Sequence, residues 1–157
     1  MPQLPPEVRI GAHFTAADMG DFADLNQFTF HHPAVPFEVE GKVFLNALLG
    51  LTSSEISLNK LPPKMSVPFS HIHLRNEEIY IFLKGAGEFQ IDGHIFPVRE
   101  GTVVRVAPEG VRCWRNLSSE PLYYIVVQAP ARDYQGNTIQ DGKAVDKSVR
   151  WESHPSG

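Results

Sequence analysis

Short apolar segments separated by proline and glycine fill the middle of this sequence, and they constrain its fold more than any other feature. The chain carries 13 prolines and 12 glycines, and the segments between them are rich in the β-branched and aromatic residues that favour strands. Asp92-Gly93 stands between two such segments, which is the strongest local signal for a hairpin turn. Turn signals recur about every eight to twelve residues, which is typical of an antiparallel sandwich or barrel.

Composition and charge narrow the class of protein. The 157 residues are 42% hydrophobic and 20% charged, which suits one folded domain with its own core. A net charge of −4 does not favour a nucleic-acid partner. No apolar run approaches the roughly 20 residues that span a bilayer, the start lacks signal-peptide features, and Cys113 has no second cysteine to pair with. We therefore expect a cytoplasmic protein without a membrane or nucleic-acid partner.

Three regions follow one another along the chain. Residues 1–36 predict an irregular N-terminal arm, with a short helical turn in AADMGDFADLNQF capped by Asp18 or Asp21. Residues 37–129 carry the recurring strand signals and predict the β-domain. Residues 130–157 are polar and predict an extension that wraps the outside or frays.

One predicted strand, EIYIFL, has a distinctive alternation. Glu78, Tyr80 and Phe82 share one face, and the residues between them form a second face that is also apolar. Two largely apolar faces predict a central strand that is covered on both sides.

The stretch SHIHLRNEEIYIFLKG, residues 70–85, contains the main candidate site. His71 and His73 are one residue apart, so on an extended chain both imidazoles point to the same side and can offer two nitrogen ligands to one ion. A turn over LRNE delivers Glu78 at the start of the next strand, and a carboxylate beside two imidazoles suits iron or manganese. Taken alone, two histidines at this spacing are more often structural or surface residues than ligands.

The run H-x-H-x4-E-x6-G, formed by His71, His73, Glu78 and Gly85, resembles the first signature motif of the cupin superfamily. GTVVRVAPEGVRCWRN, residues 101–116, resembles the second motif, G-x5-P-x-G-x2-H-x3-N, with changes. The resemblance covers residues 37–129. It implies an all-β, antiparallel jelly-roll barrel, often homodimeric, with one metal ion in the barrel mouth held by the first three of these residues.

Two positions depart from the family pattern. Met65 stands where the first motif opens with glycine, and the histidine of the second motif, the last metal ligand in the family, is missing. Counting from either end of the motif places Arg112 in the vacant slot, whereas counting from its Pro-x-Gly places Cys113 there. We favour Arg112, which then shares an inward face with Trp114, unless a bulge reverses the assignment.

Replacing histidine by arginine leaves two arrangements open. Arginine is permanently charged, carries only donors and cannot ligate a metal. In the first arrangement, three ligands hold the ion with open positions and Arg112 clamps an anionic substrate against it. In the second, the metal is absent and Arg112 pairs with Glu78.

The resemblance implies a small-molecule enzyme that uses one divalent ion (iron, manganese, zinc or nickel) to act on an organic acid or a sugar derivative. Glu78 and Arg112 are then the candidate catalytic residues, and Arg112, Trp114, Tyr80 and Gln128 are the candidate ligand-binding residues. The family includes dioxygenases, decarboxylases, epimerases and isomerases, among them sugar-phosphate isomerases, and the fold does not choose between them.

The alternative function is a non-catalytic barrel that binds a small ligand, and the missing histidine favours it. Cys113 is more often a small buried hydrophobe than a nucleophile. His31 and His32, just before Pro33, are placed near the mouth of the barrel by this interpretation.

Overall fold

The computed structural model describes residues 6–136, 138–149 and 151. This part of the chain contains twelve β-strands, a 3-10 helix over Phe22–Gln27 and a short α-helix, α1, over Asn46–Leu49. The strands are β1 (Glu7–Gly11), β2 (Phe14–Asp18), β3 (Thr29–His31), β4 (Glu38–Glu40), β5 (Lys42–Phe44), β6 (Glu55–Leu61), β7 (Asn76–Lys84), β8 (Ala86–Ile91), β9 (His94–Arg99), β10 (Val103–Val106), β11 (Arg112–Arg115) and β12 (Leu122–Pro130).

Two antiparallel sheets enclose the main core. The larger sheet has the order β10-β7-β12-β6-β5 and the smaller one β11-β8-β9. Because strand residues alternate between faces, one face of each strand can fill the space between the sheets. The buried core there consists of Tyr80, Phe82, Phe89, Val98, Val104, Val106, Trp114, Leu122, Tyr124 and Val126. The predicted all-β jelly-roll barrel is confirmed.

The strand β7 lies between β10 and β12 and carries the inward face that the alternation predicted. Glu78, Tyr80 and Phe82 are all buried there. The outward face is less covered than its apolar sequence suggested, since Leu83 is 36% exposed. The N-terminal segment, residues 6–36, covers the outer face of β5, β6 and β12 rather than that of β7.

Glycines at two turns permit backbone conformations that other residues rarely adopt. Asp92 and Gly93 have φ values of 50° and 84°, as expected for a type I′ hairpin turn between β8 and β9. Gly85, between β7 and β8, has a φ of 92°. A Cβ at Gly85 would collide with the carbonyl oxygen of Pro121, so this motif position requires glycine for both conformation and space.

The N-terminal segment contains regular elements where an irregular arm was expected. The strand pairs β1–β2 and β3–β4 are two-stranded hairpins. The 3-10 helix lies at the predicted helical turn, with Asp21 at the N-cap position but without a side-chain capping hydrogen bond. Leu25 and Phe28 pack with Leu58 on the outer face of the larger sheet. This tertiary contact removes the apolar face of β6 from water, which stabilises the segment.

The chain after β12 carries no helix or strand in residues 131–136, 138–149 and 151. Ile139 and Trp151 are exposed in this extension. Nowhere in the described residues is there a helix with the length and hydropathy needed to cross a bilayer. The proposed boundaries after residues 36 and 129 stay predictions.

We expect Leu25→Ala to lower the free energy of unfolding by about 2–5 kcal/mol, because Leu25 is buried and removing most of its side chain leaves a cavity. Urea unfolding followed by fluorescence measures this. Ile10→Ala, at a position that is 79% exposed, serves as the control and should change stability by less than about 0.5 kcal/mol. Equal stability of both variants would show that the N-terminal segment does not pack on the barrel.

Candidate metal centre

Main-chain pairing positions the two histidines at one end of the barrel. His71 and Arg112 exchange backbone hydrogen bonds of 3.1 Å, and the His73 amide donates to the Pro108 carbonyl at 2.9 Å. This extended segment places both imidazoles on the side where Glu78 projects inward from β7. The candidate ligand atoms of the three residues lie within 4.8 Å of one another.

The two carboxylate oxygens of Glu78 have different surroundings. Oε2 accepts hydrogen bonds from Nε and Nη2 of Arg112 at 3.0 and 2.9 Å and from the Tyr80 hydroxyl at 2.5 Å. Oε1 lies 3.1 Å from Nε2 of His73 and 3.3 Å from Nε2 of Gln128. Because Arg112 and Tyr80 occupy Oε2, Oε1 is the oxygen that remains for a cation beside the imidazoles.

Electrostatics keep two of the candidate ligands, Glu78 and His73, in the forms that bind metals. Burial by itself would raise the pKa of Glu78, but contacts from His71, Tyr80 and Arg112 hold that pKa well below its usual range. Burial lowers the pKa of His73, although the charge of Glu78 opposes this. At neutral pH the carboxylate is therefore ionised and the His73 imidazole is neutral, as metal ligands must be.

The donor set fits a divalent ion. Two imidazoles and one carboxylate form the combination that binds redox-active iron and related metals with positions left open. Nδ1 of His71 is buried and has no hydrogen-bond partner among the described residues. Its Nε2 lies 3.7 Å from Oε2 of Glu78, which is longer than a hydrogen bond. Nδ1 therefore has no hydrogen bond in the described structure that would compete with an ion, while the imidazole stays close enough to Glu78 to lower the pKa of that carboxylate.

Arg112 occupies the inward position, and its guanidinium is engaged inside the protein. The side chain has no exposed surface. Besides its two bonds to Glu78, Nη1 donates to the carbonyls of Pro108 and Gly110 at 3.1 and 2.8 Å. Arg112 thus pairs with Glu78 as in the second arrangement, while the three candidate ligands of the first arrangement still converge. The predicted role of Arg112 as a clamp for a substrate anion is not supported by this geometry, because the group is inaccessible. Cys113 faces the other way, and its thiol donates to the carbonyl of Val67 at 3.3 Å.

Tyr80 and Gln128 contact the candidate ligand Glu78 and orient it. Tyr80 is fully buried, and burial raises the pKa of its phenol, so that it stays a proton donor to Oε2. Gln128 donates to Oε1 and accepts from Nδ2 of Asn76 at 2.9 Å, which fixes its amide. Direct contact of either residue with a substrate stays a prediction.

Trp114 supports the site from within the core. Its ring stacks on Phe89 with an interplanar angle of 5°, and Nε1 donates to the Tyr124 hydroxyl at 3.0 Å. The ring centroid lies 6.1 Å from that of His71. Trp114 is only 8% exposed, so the geometry assigns it to barrel filling beside the histidine, and its predicted contact with a ligand also remains a prediction.

Comparisons with known proteins place this site in a family. A sequence model described as a cupin domain matches residues 58–128. The crystal structure of a cupin protein from Bacteroides fragilis is 38% identical, with a TM-score of 0.64 over 66% of this chain and 88% of that one. The chain belongs to the cupin superfamily.

Two further relatives show the range of the similarity. The structure of a predicted oxalate decarboxylase from Thermotoga maritima is 27% identical, with a TM-score of 0.52 over 60% of this cupin and 82% of that chain. An uncharacterized protein of Methanocaldococcus jannaschii is 27% identical over 77 residues, which are 49% of this cupin. The matched region spans 62% of the length of that curated relative.

A polar group inside this cupin barrel was missed from sequence. Lys42 of β5 donates to Oγ of Ser57 and Oδ1 of Asn59, both on β6. An alternating segment such as ISLNKL usually turns its polar face to solvent. Here the N-terminal segment covers the apolar face, so the polar face points inward. The sequence pattern showed that Ser57 and Asn59 share one face of the strand, but it did not show whether that face points into the barrel or toward solvent.

We expect Arg112→Met to lower the free energy of unfolding of this cupin by about 3–5 kcal/mol, because it leaves the Glu78 carboxylate buried without its partner. Adding Glu78→Gln should recover part of that loss. Arg115→Met, which breaks an exposed pair with Glu88, should cost no more than about 1 kcal/mol. A double-mutant cycle of wild type, Arg112→Met, Glu78→Gln and the double variant, measured by urea unfolding, gives the coupling energy between the two residues. A coupling energy near zero would refute the pairing.

Acid should weaken the contribution of Glu78 to stability. Its pKa in the folded state is depressed, whereas the unfolded value is about 4.3, so the unfolded chain takes up the proton first as the pH falls. The contribution is therefore present above about pH 5 and is lost below it. In chelator, the difference in unfolding free energy between wild type and Glu78→Gln should shrink from about pH 7 to about pH 3. A difference that is independent of pH would contradict this.

Proposed function

We propose that this cupin is a metal-dependent enzyme that acts on a small organic acid at one divalent ion held by His71, His73 and Glu78. The observation that carries the proposal is the convergence of their ligand atoms within 4.8 Å at the barrel end. The similarity to a predicted oxalate decarboxylase, at 27% identity, supports an organic acid as the substrate class. A sugar phosphate has less support, because Arg112 is not available to bind a phosphate.

The charges of the site also favour an anionic substrate. The positive charge of Arg112 offsets the negative charge of Glu78, and His73 is kept neutral by burial. A bound divalent ion would keep most of its charge unbalanced by the protein, so an anion completes the site. When bound, such an ion polarises a substrate oxygen as a Lewis acid.

The chain's own residues prepare this site by holding the ligands in place. Arg112 and Tyr80 fix Oε2 of Glu78, and Gln128 is held by Asn76 beside Oε1. Such contacts orient ligands and set the affinity for metal. Arg112 therefore acts in this proposal as a positioning residue. The proposal includes decarboxylation, dioxygenation and isomerisation as reaction types, with a homodimer as the assembly and the cytoplasm as the location.

A non-catalytic barrel that binds a small ligand is the second candidate function. The observation that favours it is the ion pair itself, since Arg112 balances the charge of Glu78 without a metal ion.

Metal analysis separates the two functions. Protein produced without an affinity tag should contain about one equivalent of iron, manganese, zinc or nickel by plasma mass spectrometry. The variant His71→Ala/His73→Ala should lose it, because one carboxylate cannot hold the ion alone. His94→Ala, at an exposed position on β9, is the matched control and should keep it.

Absence of metal from the wild-type protein, even after growth in supplemented medium, would refute the enzyme proposal and favour the binding barrel. Equal metal content in the double variant and the wild type would refute the assignment of the ligands.

A further inference from the structure

The inward-facing Lys42 has no role in the function proposed above. Its Nζ donates to Ser57 at 3.1 Å and to Asn59 at 2.7 Å. Both acceptors are buried, and Asn59 in turn donates to the carbonyls of Ser57 and Tyr124. The ammonium is thus held in one place by a polar network on the inner face of β5 and β6.

The charge of Lys42 has no carboxylate in contact with it. In residues 6–136, 138–149 and 151 the side-chain hydrogen bonds of Nζ go to Ser57 and Asn59 alone, and Nζ forms no ion pair. Burial lowers the pKa of Lys42 to about 8, against the longer-range charges of Glu78 and Glu55, so the amine is still mostly protonated at pH 7. Because a buried charge is costly unless it is paired, and a bond between ionised partners is stronger than a neutral one, an anion in contact with Nζ would be stabilised here.

A chain of aromatic rings connects Lys42 to the candidate metal centre. Nζ lies 4.8 Å from the ring centroid of Phe44, which is 42% exposed. From there, ring contacts with centroid separations of 5.4, 6.0, 4.7 and 6.1 Å run through Phe44, Phe30, His32, Phe69 and His71. The partly exposed rings of Phe44, Phe30, His32 and Phe69 therefore form one continuous aromatic rim between Lys42 and His71.

This rim is built largely by the part of the chain outside the matched cupin domain. Phe30 lies on β3 and His32 directly follows it, whereas the family match begins at residue 58. The exposed neighbour His31 pairs with Glu38 at 3.4 Å and turns away. His32, placed near the barrel mouth from sequence, stacks on Phe69. The N-terminal hairpin β3–β4 and the residue after β3 thus supply two of the four rings of this rim.

We propose that Lys42 anchors the carboxylate of a planar, aromatic organic acid that enters through this rim. One ammonium matches one carboxylate, and aromatic faces and edges favour a flat, unsaturated body over a puckered one. The inference deepens the proposed function and rests on it for the position of the reacting group. The anchoring contact itself needs no metal.

Binding of benzoate, followed by ligand-observed NMR titration of the full chain, tests the anchor. Benzamide has the same shape without the charge and should bind at least about tenfold more weakly. Cyclohexanecarboxylate has the same charge on a puckered ring and should bind about fivefold more weakly. Benzoate that does not bind at millimolar concentration, or that binds no better than benzamide, overturns the proposal.

Variants of Lys42 assign the contact. Lys42→Gln, which keeps hydrogen-bonding groups for Ser57 and Asn59, should weaken benzoate binding at least about tenfold. Lys42→Arg should stay within about threefold of wild type, because it keeps the charge. Lys84→Gln is the control, since this exposed lysine lies at the opposite end of β7 from Glu78. If Lys42→Gln fails to fold, the comparison of benzoate with benzamide on wild type and on Lys42→Arg still decides. Benzoate affinity of Lys42→Gln within about twofold of wild type overturns the assignment.

The same proteins separate this inference from the proposed function. Metal content should be unchanged in Lys42→Gln, and benzoate binding to chelator-treated protein should still depend on Lys42. A protein without metal that binds benzoate through Lys42 would refute the enzyme proposal and keep the anchor. If the wild-type protein contains metal but Lys42→Gln binds benzoate as tightly as wild type, the anchor is refuted and the enzyme proposal is kept.

Discussion

The buried ion pair between Glu78 and Arg112 organises the whole end of the barrel. It joins β7 of the larger sheet to β11 of the smaller sheet. Two charges removed from water are stable only when their remaining donors and acceptors are satisfied. Here Tyr80, the carbonyl of Pro108 and the carbonyl of Gly110 complete the set. The carboxylate that faces the histidines is therefore rigid, with a single oxygen left toward them.

This pair changes the balance of charge that a bound ion would meet. A neutral imidazole in place of Arg112 would add a ligand and no charge, whereas the guanidinium adds a charge and no ligand. A three-ligand site with a compensated carboxylate leaves both open coordination positions and excess positive charge. Both features favour small anions, and Lys42 on β5, the edge strand of the larger sheet, adds to the same preference.

The barrel and its opening have separate origins in the chain. The matched cupin domain, residues 58–128, supplies both histidines, the carboxylate and the buried core between the sheets. The N-terminal segment covers the outer face of β6 with Leu25 and Phe28 and places Phe30 and His32 at the rim. Because the outer cover and the rim belong to one segment, burial on the outside of the barrel holds the aromatic side chains in position at its mouth.

Local spacing along the chain determined much of this protein by itself. The shared side of His71 and His73 and the shared face of Arg112 and Trp114 follow from short-range periodicity, because neighbouring strand residues must point to opposite faces. The turn at Asp92-Gly93 follows from its residue types, and the inward direction of Arg112 was predicted from its place in the second cupin motif. Periodicity states which residues share a face but not which face is covered or what partner waits there. Only the tertiary structure decided that Arg112 binds Glu78, that Lys42 points inward, and that the N-terminal segment packs on β6. These outcomes depend on contacts between residues distant in sequence, whose burial and charge pairing no local pattern contains.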